Sequence, residues 1–156
     1  MNSDLNADIR IRDALPDDIS SIQVLMSTYF LDVEGVLVED FVVAQSGEKI
    51  VGAGAIVNGR FPEVHSIAVH PNYRGKGIGS SLLRYLLLRL KSRKDAGRKD
   101  ADICVYTRTT SPQFFEKAGF TELDPAIKAE LWEDCASCDR LSTCRQSVMC
   151  LKQGQR

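Results

Sequence analysis

Apolar positions recur along the chain with two periods, and each switch of period marks an element. Asp8 to Arg12 alternates and reads as a first strand. Leu15-Pro16-Asp17-Asp18 is a helix start, with proline and acids in the first turn. Ile19, Ile22, Leu25, Met26 and Tyr29 follow at helical spacing, so the helix is expected to run to about Phe30. Tyr29 and Phe30 are read as core or pocket wall. Asp40 to Gln45 is a strand, Ser46-Gly47-Glu48 a turn, and Lys49 to Val57 the returning strand of a hairpin. Gly52 and Gly54 weaken that strand and mark the close approach of another backbone. Asn58-Gly59 is a further turn signal, and Arg60 to Val69 is the central strand.

The second half opens with a long helix from about Gly77 to Arg93. Ile78, Leu82, Leu86 and Leu90 fall four apart and form its sheet-facing stripe. Lys91 to Asp100 is charged and reads as a solvated helix end and loop. Ala101 to Tyr106 is a strand. Ser111-Pro112 starts a short helix over Gln113 to Ala118, stopped by Gly119. Phe120 to Leu123 leads on, Pro125 to Glu133 reads as helical, and Ser147 to Leu151 is a closing strand. The pattern is that of one α/β (α+β) domain over residues 1–156, with a cysteine-rich segment at about 134–150.

One stretch organises the rest: Val64 to Leu83, VHSIAVHPNYRGKGIGSSLL. A β-branched strand ends at the turn His70-Pro71-Asn72-Tyr73. Arg74-Gly75-Lys76-Gly77-Ile78-Gly79 then runs straight into the leucine-rich helix, with Ser80 in its first turn. Glycines at alternate positions leave backbone N–H groups unobstructed, and a helix start adds orphan donors and the positive end of its dipole. The result is an anion cradle suited to a phosphate or pyrophosphate. The spacing G-x-G-x-G is not a dinucleotide fingerprint, and no lysine stands where a P-loop needs one.

Arg74-x-x-Gly77-x-Gly79, with its preceding strand and Val69-x-Pro71 ending, resembles the acetyl-CoA motif of the GNAT N-acetyltransferases. Phe114-Phe115-Glu116-Lys117-Ala118-Gly119-Phe120 is similar to a second motif of that family, Tyr-x-x-x-Gly-Phe. The resemblance covers about Ile9 to Phe120 plus the closing strand. It implies a mixed, mostly antiparallel sheet flanked by helices, with splayed central strands, and acetyl-CoA as cosubstrate. It further implies that Ile67, Ala68 and Val69 offer backbone groups to the acyl arm, and that Arg74, Gly75, Lys76, Gly77, Ile78, Gly79 and Ser80 hold the pyrophosphate. In such proteins the substrate enters beside the first helix, which makes Leu31 to Glu39 the expected specificity segment.

A narrower resemblance lies in Glu63, Ser66-Ile67-Ala68-Val69-His70-Pro71, Val105-Tyr106-Thr107-Arg108-Thr109 and Pro125-x-x-Lys128-x-x-Leu131-Trp132. These look like the acetyltransferase domain of N-acetylglutamate synthases, which acetylate the α-amine of glutamate. No amino-acid-kinase-like domain is expected beside it, and Glu39 and Asp40 make the segment after Val38 acidic. The acceptor is therefore expected to be a small amine, foremost an amino acid, with glutamate as one reading.

Joining a thioester to an amine needs a neutral amine, a stabilised oxyanion and a thiolate that leaves. Glu63, matching the synthases' strand carboxylate, is the first choice of base. His65 is the second, with an unperturbed pKa of about 6.5. The oxyanion is expected on a backbone N–H near Ile67 to Val69, as the resemblance implies. The position of the usual tyrosine acid matches Phe115. A thiol with a pKa of about 8.5 leaves without full protonation. Tyr106 and Tyr73 are read as packing residues and Cys104 as a buried, inert thiol. Three other readings stay open: an acyl-CoA-binding sensor without turnover, a metal- or redox-sensing protein in which the cysteine tail is the functional part, and a protein N-acetyltransferase.

Cys135-x2-Cys138-x5-Cys144-x5-Cys150 falls outside the family pattern. Its spacing suits four thiolates around a structural zinc or an iron–sulfur cluster; disulfides or free thiols are the alternatives. Net charge −1 gives no nucleic-acid footprint, and no apolar run approaches a membrane span. The first ten residues lack a basic region followed by an apolar one, so a cytoplasmic location with reduced thiols is expected. A homodimer is common in the family.

Overall fold

Alternation and helical spacing resolve into seven strands and flanking helices in a computed structural model, which describes residues 8–93 and 103–153. The expectations for Met1 to Ala7, for Lys94 to Asp100 and for the first two residues of the strand at Ala101 lie outside those residues. By contact the chain divides into two units: residues up to Asn58 with Val64–Lys99, and Gly59–Glu63 with Asp100–Arg156.

β1 (Ile9–Asp13), β2 (Phe41–Ser46), β3 (Lys49–Asn58) and β4 (Pro62–Val69), the last belonging to the first unit from Val64 on, are hydrogen-bonded neighbours in that order. β1 and β2 are antiparallel, as are β2 and β3. Val42 to Ala44 and Val51 to Ile56 are buried on both faces, which is why they read as unbroken apolar runs. Helix α1 (Ile19–Thr28) covers one face, packing Ile22, Leu25 and Met26 against Phe41, Val43, Ala53, Ala55 and Ala68. Helix α2 (Ile78–Arg93) covers the other. Its predicted stripe, Ile78, Leu82, Leu86 and Leu90, is buried throughout.

The glycines of β3 do mark a close approach, but chiefly of side chains from α2. A Cβ on Gly52 would stand 3.1 Å from Leu82 Cδ1 and 3.2 Å from Ile78 Cγ2. One on Gly54 would stand 3.2 Å from Leu86 Cδ1, from Ile67 Cγ1 and from the Ser66 carbonyl. The missing Cβ atoms are what let the helix sit down on the strand.

Two readings around α1 change. Pro16–Asp18 is a 3₁₀ turn, and the helix proper starts after it. Phe30 is not core: it is 95% exposed and has φ 57°. The helix ends in a Schellman turn, in which Leu31 N–H reaches Met26 O at 3.0 Å and Phe30 N–H reaches Ser27 O at 3.0 Å. Phe30 occupies the left-handed position that glycine usually takes, and its ring is thrown outward. Tyr29 does pack inward, half-buried, and its hydroxyl donates to the Val69 carbonyl.

In the second unit β5 (Ile103–Thr109), β7 (Ser147–Gln153) and β6 (Thr121–Leu123) form an antiparallel set with β7 in the middle. Three residues were too short a run to announce β6. Helix α3 (Pro112–Glu116) precedes it, and Phe115 and Phe120 are buried edge to face, 5.2 Å between centroids. The segment read as one helix from Pro125 breaks into a 3₁₀ turn, α4 (Lys128–Leu131) and α5 (Glu133–Ala136), because Trp132 is extended.

Substituting Gly54 by alanine is expected to cost about 1–3 kcal/mol in urea denaturation, because one neighbour is a backbone carbonyl that cannot rotate away. Asp18 gives a pH signature. Its carboxylate takes Arg12 Nη1 at 2.8 Å and caps Leu15 N–H at 2.8 Å. The Arg12 guanidinium holds the Asp18 carboxyl below the usual carboxylate range; burial opposes this and the Leu15 N–H reinforces it. A carboxyl lowered by folding contributes stability above its ordinary value of about 3.9 and loses it as pH falls through the lowered value. Thermal melts of Asp18→Asn should therefore show about 1–3 kcal/mol less stability at neutral pH. They should also show a shallower loss below about pH 4 than the parent.

Candidate active site

β4 delivers the chain to the cradle with its pattern alternating as a half-covered strand should: Val64, Ser66 and Ala68 are buried, while His65, Ile67 and Val69 are half-buried. Ala68 packs under α1, so only its backbone is available to a ligand. His70 N–H returns to Val51 O at 2.7 Å, and its Nδ1 accepts the Asn72 N–H at 3.1 Å. His70 is thus the cap of the 3₁₀ turn Pro71–Tyr73, half-buried against the Tyr73 ring.

Arg74 is extended and exposed, its guanidinium carbon 6.0 Å from the Tyr29 ring centroid. Gly75 and Gly77 follow with φ 80° and 82°, a conformation L side chains rarely adopt. A Cβ on either would meet nothing within 4 Å. The glycines are therefore required by backbone conformation, and the space above them is open. Ser81 N–H to Gly77 O, 3.0 Å, is the first bond of the helix start. The N–H groups of Ile78, Gly79 and Ser80 precede it and are the orphan donors of the first turn. Ile78 has its side chain in the core and contributes only that N–H. Lys76 is half-buried between the glycines. These residues fit a pyrophosphate: conformationally fixed N–H donors, a helix dipole behind them and flanking cations.

His65 places Nδ1 2.8 Å from the hydroxyl of Ser66, which is itself buried. Its Nε2 has no hydrogen bond among the described residues. Phe115, at the tyrosine position of the family motif, is buried between Phe114 and Phe120 and has no proton to give. Tyr106 packs edge to face on Phe61 at 4.8 Å and on Trp132 at 6.3 Å. Burial, aided by the neighbouring Cys104 and Cys150, raises its phenol above the ordinary tyrosine value. Packing is its role, as expected.

Glu63 sits in a constellation of the second unit. Its Oε1 accepts from Arg108 Nη2 at 3.2 Å and from Trp132 Nε1 at 3.1 Å, and its Oε2 accepts from Arg108 Nε at 2.9 Å. The Arg108 guanidinium lies 4.2 Å from the Trp132 ring centroid. Arg108 Nη1 reaches Asp134 Oδ2 at 3.1 Å and Cys135 Sγ at 3.4 Å. Burial opposes the arginine's charge, but Glu63, Cys135 and Asp134 more than offset it and raise its pKa. Arg108 and Trp132 belong to the motifs quoted above, yet nothing in the spacing placed them around Glu63. Forty-five and sixty-nine residues separate them from it.

The four tail cysteines are not brought together. Cys135 faces Arg108, Cys138 is exposed and takes the Arg140 N–H, Cys144 turns to Gln146, and Cys150 lies in β7 opposite Tyr106 and Thr121. All five cysteines are free thiols, and among the described residues no group of three or more His, Cys, Asp or Glu could hold a metal ion. The spacing suited a metal, but a paired strand and a short helix turn the side chains to different partners.

The acetyltransferase (GNAT) domain model matches residues 38–122, which span the hairpin, β4, the cradle, α2, β5 and α3. The chain belongs to the GNAT acetyltransferase family. It is accordingly an acetyl-CoA-dependent N-acetyltransferase. An uncharacterised N-acetyltransferase of Chlorobaculum tepidum is 26% identical over 155 residues, covering 92% of this chain and 96% of that protein. An amino-acid acetyltransferase of Mycobacterium tuberculosis is 29% identical over 144 residues, covering 83% of this chain and 79% of that one. In fold, the chain is similar to an N-acetylglutamate synthase from Neisseria gonorrhoeae solved with coenzyme A and N-acetyl-glutamate. The TM-score is 0.71 at 18% identity, over 95% of this chain and 35% of that chain. Among the described residues no helix is long and apolar enough to cross a membrane.

Gly77→Ala is expected to weaken acetyl-CoA binding about tenfold or more by titration calorimetry, since the left-handed conformation alone costs an L residue about 1–2 kcal/mol. An unchanged affinity would remove Gly77 from the cradle.

Proposed function

We propose that this GNAT enzyme acetylates the α-amine of a free amino acid, with Glu63 receiving the amine's proton. The observation that supports it most is the state of the Glu63 carboxylate. Both acceptor sites of Oε1 are taken, by Arg108 and by Trp132, while Oε2 takes only Arg108 Nε. One acceptor site on Oε2 remains, and the two donors fix its direction. A carboxylate held this way orients an amine and takes its proton, directly or through water. The likeness to an amino-acid acetyltransferase over most of the chain supports the same acceptor class. Glutamate is the first amino acid to try, since the fold is that of a protein solved with N-acetyl-glutamate.

In this reaction the amine nitrogen attacks the thioester carbonyl. A C–N bond forms, the C–S bond breaks, and the proton passes to the base. Backbone N–H groups near Ile67 to Val69 are assigned to the oxyanion, where fixed donors cost no reorganisation. Because Phe115 carries no proton, coenzyme A leaves as thiolate, which a pKa of about 8.5 permits. His65, with its unbonded Nε2, is the second base.

Product mass spectrometry with acetyl-CoA and a panel of amino acids, simple amines and N-terminal peptides tests the reading. Acetylated amino acids are expected. Glu63→Gln should lower kcat about 100-fold or more while acetyl-CoA affinity holds. A larger loss in His65→Ala than in Glu63→Gln would transfer the base role to His65. Acetylated peptides alone would overturn the free amino acid, and binding without any product would leave a sensor.

A further inference from the structure

Arg108 presents two edges, and they are used unequally. The side edge, Nε with Nη2, is closed by Glu63 in a two-bond fork at 2.9 and 3.2 Å. The end edge, Nη1 with the outer N–H of Nη2, meets Asp134 through Nη1 only, at 3.1 and 3.3 Å. The outer N–H of Nη2 has no hydrogen bond among the described residues. The two carboxylates also differ in exposure: the Glu63 side chain is 13% exposed, that of Asp134 75%. Glu63 is further tied by Trp132 Nε1. Asp134 holds nothing but Arg108 among the described contacts, from the single turn of α5.

A guanidinium end edge is the shape that takes a carboxylate in two parallel bonds. Asp134 fills it with one nitrogen and can turn to water at little cost, because an exposed ion pair is weak. Glu63 cannot leave without stranding a buried charge. We infer that the end edge of Arg108 is the binding site for a carboxylate of the acceptor, and that Asp134 is a resident competitor which the acceptor displaces. Asp134 is thus a specificity-determining residue. It weakens only acceptors that must displace it from Arg108, and so sets how much carboxylate-bearing acceptor is needed to open the site. This rests on the amino-acid reading above, but its test does not need turnover.

Trp132 is the chain's one tryptophan and lies against both Arg108 and Glu63, so its fluorescence reports this site directly. The probe is glutarate, titrated into the full chain loaded with coenzyme A, with glutaramide as the uncharged control. Asp134→Asn should tighten glutarate binding about two- to fivefold, the size expected for removing one exposed pair. Asp139→Asn, which removes an exposed acid of the same segment, should change nothing. Arg108→Lys should weaken the response, and circular dichroism would check that a variant at this half-buried position still folds. Where an amino acid is turned over, Asp134→Asn should lower its KM by the same factor with little change in kcat, and leave the KM of its decarboxylated amine alone.

Equal glutarate affinity in parent and Asp134→Asn, or equal tightening by Asp139→Asn, overturns the inference. So does a response that glutaramide reproduces. Tighter glutarate binding with no amino-acid turnover would keep the displaced carboxylate and discard the proposed acceptor.

Discussion

The close seat of α2 on β3 is the constraint on which the glycine cradle depends. Without Cβ atoms at Gly52 and Gly54, Leu82 and Leu86 come down on the strand itself. The first turn of α2 is thereby pinned through Ile78, one residue after Gly77. The donors of Ile78, Gly79 and Ser80 cannot drift, because the helix that carries them cannot. A phosphate held there would meet backbone donors with no side chains to adjust, so its placement would be inherited from packing on the opposite side of the helix. His70 secures the other approach, tying the end of β4 to Val51 and capping the turn that leads to Arg74.

The second unit solves a different problem, that of keeping an acid in place among apolar rings. Phe61, Tyr106 and Trp132 meet edge to face, and Glu63 and Arg108 lie at that cluster. Charges removed from water this far are tolerated only when their hydrogen bonds are satisfied. Arg108 meets the requirement for Glu63 with a fork, and Trp132 supplies the third donor. The same arginine reaches outward to Asp134, so one side chain connects a fixed carboxylate to an exchangeable one.

Much of this is legible in the sequence. The stripe on α2, the two-sided burial of β2 and β3, and the turn into the glycine cradle follow from periods and punctuation that act over a few residues. The left-handed, outward-facing Phe30 at the end of α1 was not legible, because a phenylalanine stands where a Schellman turn normally signals itself with glycine. Nor was the break at Trp132, which is extended between two short helices and has its indole N–H on Glu63. The Glu63 constellation joins residues far apart in sequence and was seen only as scattered motif matches. The cysteines show the reverse failure. Their spacing was suggestive, but a ligand set depends on where side chains point, and β7 and α5 point them apart.

The turn at Phe30 has a consequence for how this chain can change. A phenylalanine in the left-handed region carries a backbone cost of about 1–2 kcal/mol, and with 95% of its surface in water its ring recovers almost none of it by burial. Glycine there would relieve the strain without disturbing a core contact. The position is therefore a reserve of stability: a lineage or an engineer can draw on it to offset a costly change elsewhere, leaving the cradle and the Glu63 cluster untouched.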